Sequence, residues 1–496
     1  MRMSSAICEA LARLARDHPQ RAAIYGLSEG QVRTFADLEC DAADMTAALD
    51  AVALPDRPCL VSCVGNRIGF VALFLACLRR RASLVLIDGD ATHAEVVAVA
   101  DRLRADGIVT RIDTPAARTS TAHQLPAGLV LVRAGEPSAA PVFAVSSSEP
   151  LILKLTSGST NSPKTVVVTE SGLVADGRHI IEAMGIRTAD VSLATIPISH
   201  AYGMGTLLLP LLLQGTPIGL RDGFSAGSIA DDISSCRVTF MPGVPYIYDY
   251  LQRHGSGDIV ARLRMLVSAG APLDVETLRF FKHGVGVKIH SLYGTSETGA
   301  VAFDDSDEVG ASVSVGRPVP ETTVTLVPHE AAGPGEARVL VRGTAVADRY
   351  LFRDDADESL SAFTLGGFLT GDLGRLDSGG RLFLTGRISR FVNVAGRKVQ
   401  PEEIERVIAS LSGVLQASVV GVPHPTRGQL LVACVRRRGP WLTADDVRAA
   451  CSARLSAHKV PRRVVFADEL PVNARGKLDR DAVADLVSRT LDGDGV

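Results

Sequence analysis

Apolar and polar positions alternate through the first two thirds of the chain in two rhythms. Short apolar runs predict strands: RPCLVSCVG from Arg57, SLVLID from Ser83, VTFMPGV from Val238, LRMLVSAGA from Leu263 and KIHSLYG from Lys288. Between them lie runs with helical spacing, of which FVALFLACLRRR from Phe70 is the most apolar. This alternation predicts an α/β fold, in which helices cover largely parallel sheets and ligands gather at the carboxyl ends of strands. The opening segment, residues 1–20, breaks its apolar run with Glu9, Arg13 and Arg16 and reads as an amphipathic helix rather than a secretory signal. FVALFLACL from Phe70 and LLLPLLL from Leu207 fall short of the roughly 20 residues that span a bilayer. Pro210 interrupts the second, and both predict buried helices.

The texture changes near Val309. From there to Thr385 come short β-rich pieces, TVTLVP, ARVLVRG and GRLFLTG, separated by Gly, Pro and Asp turns, which predict a small antiparallel barrel or meander. After Gly386 two helical patterns, PEEIERVIASL and TADDVRAACSARL, alternate with Val-rich strands and predict a compact α+β domain. The expected organisation is a large domain over residues 1–386, with its β-rich subdomain at about 309–385, and a small domain over 387–496. The Ala-, Pro- and Ser-rich segment from Thr114 to Pro150 reads as loops with a strand or two, not as a boundary.

Composition narrows the classes. With 496 residues, 46% apolar and 22% charged, the chain is long enough for at least two well-buried cores. A net charge of −3 and a pI near 6.4 give no electrostatic reason to expect a nucleic-acid partner. The run Arg436, Arg437, Arg438 is the strongest basic exception and reads as a solvated strand end or turn. Eight scattered cysteines without a CxxC pair predict reduced, mostly packed thiols and a cytoplasmic protein. Cys59 and Cys63 fall on one face of their strand, where core packing is the expectation.

The stretch LTSGSTNSPKT from Leu155 is one residue away from a nucleotide-hydrolase phosphate loop, with Pro163 where the second glycine would stand. Proline has no N–H and fixes φ, so a cradle of successive backbone donors is not expected. The stretch offers hydroxyls instead: Thr156, Ser157, Ser159, Thr160, Ser162 and Thr165 around Gly158, with Lys164 as a cation. They suit a phosphate tail that is gripped and then released; a polar surface loop has the same composition.

Six further motifs follow in order: PISHAYG, SAGAPL, SLYGTSETG, FLTGDLG, TGRISRFVNVAGRKVQPEEIE and PVNARGKLDR. The series resembles the acyl-adenylate-forming superfamily, which includes acyl- and aryl-CoA synthetases, the adenylation domains of nonribosomal peptide synthesis and firefly-type luciferases. The likeness extends from about Leu151 to Arg480. It implies an ATP- and Mg²⁺-dependent acid–thiol ligase that couples a carboxylate to the α-phosphorus of ATP, releases pyrophosphate and lets a thiol displace AMP. It also implies roles for residues. Tyr293 takes the adenine face, with Gly270, Ala271 and Gly294 beside it, Ser296 a phosphate, and Glu297 the Mg²⁺ ion. Asp372 takes the ribose hydroxyls, with Arg387 as its companion. Lys477 reaches the α-phosphate and the substrate carboxylate, so that the catalytic set comprises Lys477, Glu297, Thr156 and His200. The small domain rotates between the half-reactions about a hinge at Ser389, and Gly396 and Arg397 line the thiol tunnel. Departures are Ser296 for the usual Thr, Ser389 for Asp or Lys, and Asn161 and Thr165 for usual glycines.

His200 and Ala201 match positions beside the acyl pocket, with Gly270 and Gly294. Amino-acid-activating members carry an aspartate next to this histidine; here Ala201 follows, and no carboxylate occurs between Asp190 and Asp222. An ammonium buried without a partner is heavily penalised, so a fatty or aromatic acid is the expected substrate. The apolar segments around it would line a pocket or build ordinary core. No carrier domain follows Arg480, so the acceptor is expected to be CoA, with the phosphopantetheine of a separate carrier protein as the alternative. The readings from another class are a nucleotide hydrolase and a catalytically weakened ligand-binding relative.

Overall fold

The computed structural model describes residues 5–114, 122–133, 151–156, 164–225, 227–330, 332–351, 362–364, 366–388, 392–394, 397–399, 401–424, 428–455, 459–473 and 478–493. The chain forms two compact units, the first comprising 1–323, 341–358 and 365–368, the second 324–340, 359–364 and 369–496.

Two large sheets build the first unit. One runs, among the described residues, Arg317–Pro318, Gly299–Phe303, Ile289–Thr295, Met265–Ala269, Phe240–Gly243, Ser192–Ala194, Ile218–Leu220, Ala22–Gly26 and Gln31–Thr34. Its six central strands are parallel, while Gly299–Phe303 and Gln31–Thr34 return antiparallel towards its edges. The other runs Arg349–Tyr350, Lys164–Thr169, Leu151–Thr156, Ser83–Leu86, Cys59–Cys63, Gly107–Arg111, Leu129–Arg133 and Ala122–Leu125. Every residue of Cys59–Cys63 and of Met265–Ala269 is buried, as strands covered on both faces require. Cys59 and Cys63 do share one core cluster, together with Val61, Val85 and Leu153.

The helix Ile68–Arg80 is buried on every side from Ile68 to Leu78, which is why its sequence shows no polar face. The run LLLPLLL is not one helix. A π-helical turn, Met204–Leu208, passes without a break into the α-helix Leu209–Gln214, and Pro210, which has no N–H to give to the ladder, stands just past the junction. The two strands Ala122–Leu125 and Leu129–Arg133 lie in the segment read as loops with a strand or two.

The helix Glu170–Met184 touches both sheets, packing on Lys164–Thr169 and on Gly299–Phe303. Thr169 caps it by accepting from the Gly172 N–H at 3.2 Å, and Gly185 ends it at φ +56°. Its buried Glu170 carboxylate accepts from Ser5 Oγ at 2.6 Å and Ile7 N at 3.0 Å, which docks the amphipathic first helix, Ala6–Asp17.

The second unit holds most of a five-stranded sheet built from Thr322–Val327, Ala337–Gly343, Gly367–Leu376, Ala362–Thr364 and Leu382–Arg387. A further sheet carries Val414–His424 and Gly428–Arg437, with the helices Pro401–Ala409 and Ala444–Arg454 on one core. A third helix, Arg480–Gly493, covers a second core through Val483 and Val487, both 0% exposed. The basic run is engaged at its strand end: Arg436 Nε donates to the Asp468 carbonyl at 2.8 Å, and the Arg437 guanidinium lies 3.9 Å from the Phe466 ring centroid. Among the described residues no helix is long and apolar enough to cross a membrane.

Candidate active site

The carboxyl ends of the parallel strands bring the first group of predicted residues together. Ala269 pairs with Leu292, so Gly270 and Tyr293 follow side by side. Gly270 turns the chain at φ +83°, a conformation that favours glycine, and Tyr293 is buried in its strand opposite Ala302. Gly294 sits where the register shifts, and a Cβ there would fall 2.5 Å from the Gly299 carbonyl oxygen. The hairpin then closes over Ser296, Glu297 and Thr298. Its turn is stitched by the Thr295 and Thr298 hydroxyls at 3.0 Å, and Thr295 Oγ1 accepts from the Glu297 N–H at 3.2 Å.

Glu297 is held from outside as well. Its carbonyl accepts from Ala347 N at 2.7 Å, and its Oε1 accepts from the Tyr350 hydroxyl at 2.6 Å. Tyr350 pairs with Val166 at the sheet edge, and Lys164 Nζ lies 5.3 Å from its ring centroid. Lys164 in turn pairs with Thr156 across adjacent strands. One tyrosine thus joins the predicted metal carboxylate to the cationic end of the hydroxyl-rich stretch. Ser157, Gly158, Ser159 and Thr160 lie outside the described residues, as does the Thr156 side chain. Among the described residues no hydrogen bond occupies Oε2 of Glu297, and a single carboxylate oxygen plus phosphate oxygens and water is how Mg²⁺ is commonly held. Replacing Tyr350 by Phe keeps the ring and removes a charge-assisted hydrogen bond. The expected result is a roughly tenfold loss in kcat/KM for ATP with an unchanged melting temperature, measured by steady-state kinetics and calorimetry.

His200 lies where the two sheets meet. A ring nitrogen of His200 pairs with the Asp88 carboxylate just beyond the strand Ser83–Leu86. Beside it, buried Asn66 donates to the Ile196 carbonyl at 3.0 Å and accepts from Ile198 N at 2.8 Å. Ala201 begins the short helical turn after His200. The leucines that follow are ordinary core, since Leu207, Leu208, Leu209, Leu211 and Leu212 are all 0% exposed. The Tyr202 hydroxyl donates to the Val267 carbonyl at 2.9 Å, and the Tyr248 hydroxyl lies 2.9 Å from the same carbonyl and 3.0 Å from that of Met241, so both are engaged by backbone.

In the second unit Asp372 and Arg387 are register partners on antiparallel strands, with Arg387 Nε 3.1 Å from Asp372 Oδ1. Gly396, Ser389 and Lys477 lie outside the described residues, and Arg397 is described only as the first residue of the strand Arg397–Val399. The chain beyond Lys477 is anchored: Leu478 bridges Val472, and Arg480 grips Glu405 through two 2.7 Å bonds. Burial pushes the Arg480 guanidinium down, and the Glu405 and Glu402 carboxylates more than offset this, so it is held above its ordinary value.

Residues 11–351 match the AMP-binding enzyme family, and residues 403–477 match the C-terminal domain of AMP-binding enzymes. The chain belongs to the AMP-binding enzyme family. It is 32% identical to a sulfoacetate–CoA ligase of Cupriavidus necator over 390 residues, 77% of this chain and 75% of the relative. It is 28% identical to a feruloyl-CoA synthase of an Amycolatopsis species over 482 residues, 94% of this chain and 96% of the relative. In fold it is similar to ATP-bound MatB from Rhodopseudomonas palustris, with a TM-score of 0.83 at 23% identity over 97% of this chain and 98% of that one. The protein is accordingly an AMP-forming acid–thiol ligase by class.

Two residues of this AMP-binding enzyme escape a reading of motifs alone. Tyr350, 53 positions from Glu297, carries no local signal; only the sheet pairing brings it there. Asp88 follows a strand, as many turn aspartates do.

Proposed function

We propose that the protein activates an apolar carboxylic acid, fatty or aromatic, in two half-reactions in the cytoplasm. A carboxylate oxygen attacks the α-phosphorus of ATP, giving acyl-AMP and releasing pyrophosphate. The thiolate of CoA then attacks the acyl carbon, and AMP leaves with the bridging oxygen. The observation that carries this reading is the Tyr350 link between Glu297 and Lys164, which sets a carboxylate and a cation around the end of the hydroxyl-rich stretch. Mg²⁺, held by Glu297, would supply charge neutralisation at the phosphates when bound. Asp372 and Arg387 would hold the ribose, and Lys477 would meet the α-phosphate during adenylation. Ser389 would serve as hinge, with Gly396 and Arg397 at the thiol. The absence of any carboxylate between Asp190 and Asp222 supports an acid without an α-ammonium.

The test is pyrophosphate release across a panel of fatty, aromatic, dicarboxylic and α-amino acids, with and without CoA, and mass detection of the thioester. Release that requires an apolar acid, and thioester that requires CoA as well, are the expected results. Phosphate release without an acid would place the protein among hydrolases, and a panel limited to amino acids would overturn the substrate class.

A further inference from the structure

Residues 63–67 tie the two large sheets of the first unit together. They run from the end of the strand Cys59–Cys63 to the start of the helix Ile68–Arg80, at a carboxyl end where folds of this class gather ligands. Towards their own sheet, the Cys63 thiol donates to the Asp88 carbonyl at 3.1 Å. A Cβ on Gly89 would fall 2.6 Å from Gly65 Cα, so only glycine lets these two strand ends come so close. Towards the other sheet, Asn66 holds both the Ile196 carbonyl and the Ile198 N–H, in the segment that leaves the strand Ser192–Ala194. Arg67 reaches the Asp222 carboxylate at 3.1 Å, just beyond the strand Ile218–Leu220.

Each segment held in this way carries one half of the His200–Asp88 pair. Asp88 stands two residues beyond the strand Ser83–Leu86, and His200 two residues beyond Ile198. The backbone at His200 is folded back tightly: its N–H donates to the Pro197 carbonyl at 3.2 Å, and a Cβ on Gly203 would fall 2.1 Å from that same oxygen. An ionised carboxylate can only accept, so Nε2, which faces Asp88 Oδ1, is a ring nitrogen that carries a proton. The pair is not sealed in core. The two side chains keep 25% and 20% of their surface exposed, which leaves the ring within reach of a ligand.

We propose that Asp88 is a positioning residue for His200: it holds the imidazole protonated at Nε2 and fixes the ring's orientation, so that one hydrogen-bonding pattern is presented to the bound acid. The contact joins the strand ends of two sheets whose spacing residues 63–67 already set, so ring and carboxylate meet without either loop having to move. This rests on the proposed function in so far as His200 faces the acid.

The experiment compares the wild type with Asp88→Asn, His200→Gln and the double variant. Its readouts are the melting temperature, the ¹⁵N spectrum of the histidine rings, and KM for ATP and for the acid that supports the fastest pyrophosphate release in the panel. Asparagine has the shape of aspartate but can accept from Nε2–H or donate to a bare Nε2, so it no longer holds the ring to one tautomer. The His200 signals, identified by their loss in His200→Gln, are expected to show a protonated Nε2 in the wild type and to shift towards a bare nitrogen in Asp88→Asn. That variant should raise KM for the acid about tenfold, the scale of coupling between neighbouring groups, with KM for ATP and the melting temperature unchanged. The double variant should match His200→Gln in KM for the acid, because Asp88 acts only through the ring. Ring signals unmoved by Asp88→Asn would overturn the proposal. So would equal rises in KM for acid and ATP, or a double variant whose loss is the product of the single losses. Pyrophosphate release that needs no acid would bring down the proposed function instead, and the ring spectrum still decides whether Asp88 holds His200.

Discussion

Glu297→Gln is expected to lower acid-dependent pyrophosphate release by roughly 10²- to 10³-fold, the effect of removing one preorganised charge contact from a reacting phosphoryl group. The substitution is nearly isosteric, and the glutamine oxygen can still accept from the Tyr350 hydroxyl, which the wild-type carboxylate meets at 2.6 Å. The backbone bonds of the turn, Ala347 N to the Glu297 carbonyl and Glu297 N to Thr295 Oγ1, do not involve the carboxylate. The hairpin should therefore keep its shape, and the loss should appear in kcat and in a higher Mg²⁺ requirement. Titration of Mg²⁺ at saturating ATP reads that requirement directly. An unchanged metal requirement with full activity would remove Glu297 from the nucleotide site.

Lys477→Ala is expected to lower acyl-AMP formation by roughly 10²- to 10³-fold as well, on the same electrostatic ground. Here the two half-reactions separate the role from general damage. When acyl-AMP is prepared chemically and offered with CoA, thioester formation should fall by less than about tenfold, because the proposed contact is made only while the α-phosphorus is attacked. The neighbouring anchors, Leu478 on Val472 and Arg480 on Glu405, are untouched by the substitution and should preserve the melting temperature. Equal losses in both half-reactions would mean that the lysine acts on folding or domain placement rather than on adenylation.

What the sequence reveals of this molecule follows from where the physical signal is local. Strands such as Cys59–Cys63 and Met265–Ala269 are legible because burial on both faces leaves an unbroken apolar run. The segment LLLPLLL is legible as buried but not as a π-turn passing into an α-helix, since a run of identical leucines carries no mark of where one hydrogen-bonding pattern gives way to the other. The final helix, Arg480–Gly493, follows a polar motif, and its buried pair Val483 and Val487 is too sparse to announce a helix on its own.

The site divides in the same way. Glu297 and Tyr293 are proposed from the motif that holds them, and the structure sets that motif at the end of the strand Ile289–Thr295, whereas Asp372 falls in the middle of Gly367–Leu376. The pairing of Asp372 with Arg387 follows from one antiparallel hairpin, so it is nearly local. Tyr350 and the Asp88 partner of His200 are fixed by pairings across 53 and 112 positions, and no local pattern encodes such contacts. The leucines after Tyr202 illustrate the converse. They carry an unmistakable apolar signal, yet full burial assigns them to core rather than to a substrate wall.

The measurement that tests acyl-AMP formation most directly follows the acid's own oxygen. An apolar acid labelled with ¹⁸O in its carboxylate is incubated with ATP and CoA, and AMP is analysed by mass spectrometry. Attack of the carboxylate on the α-phosphorus, then loss of AMP to the thiol, predicts one ¹⁸O atom in AMP and none in pyrophosphate. Label in inorganic phosphate with ADP as the co-product, or unlabelled AMP, would contradict adenylation as the reaction of this site.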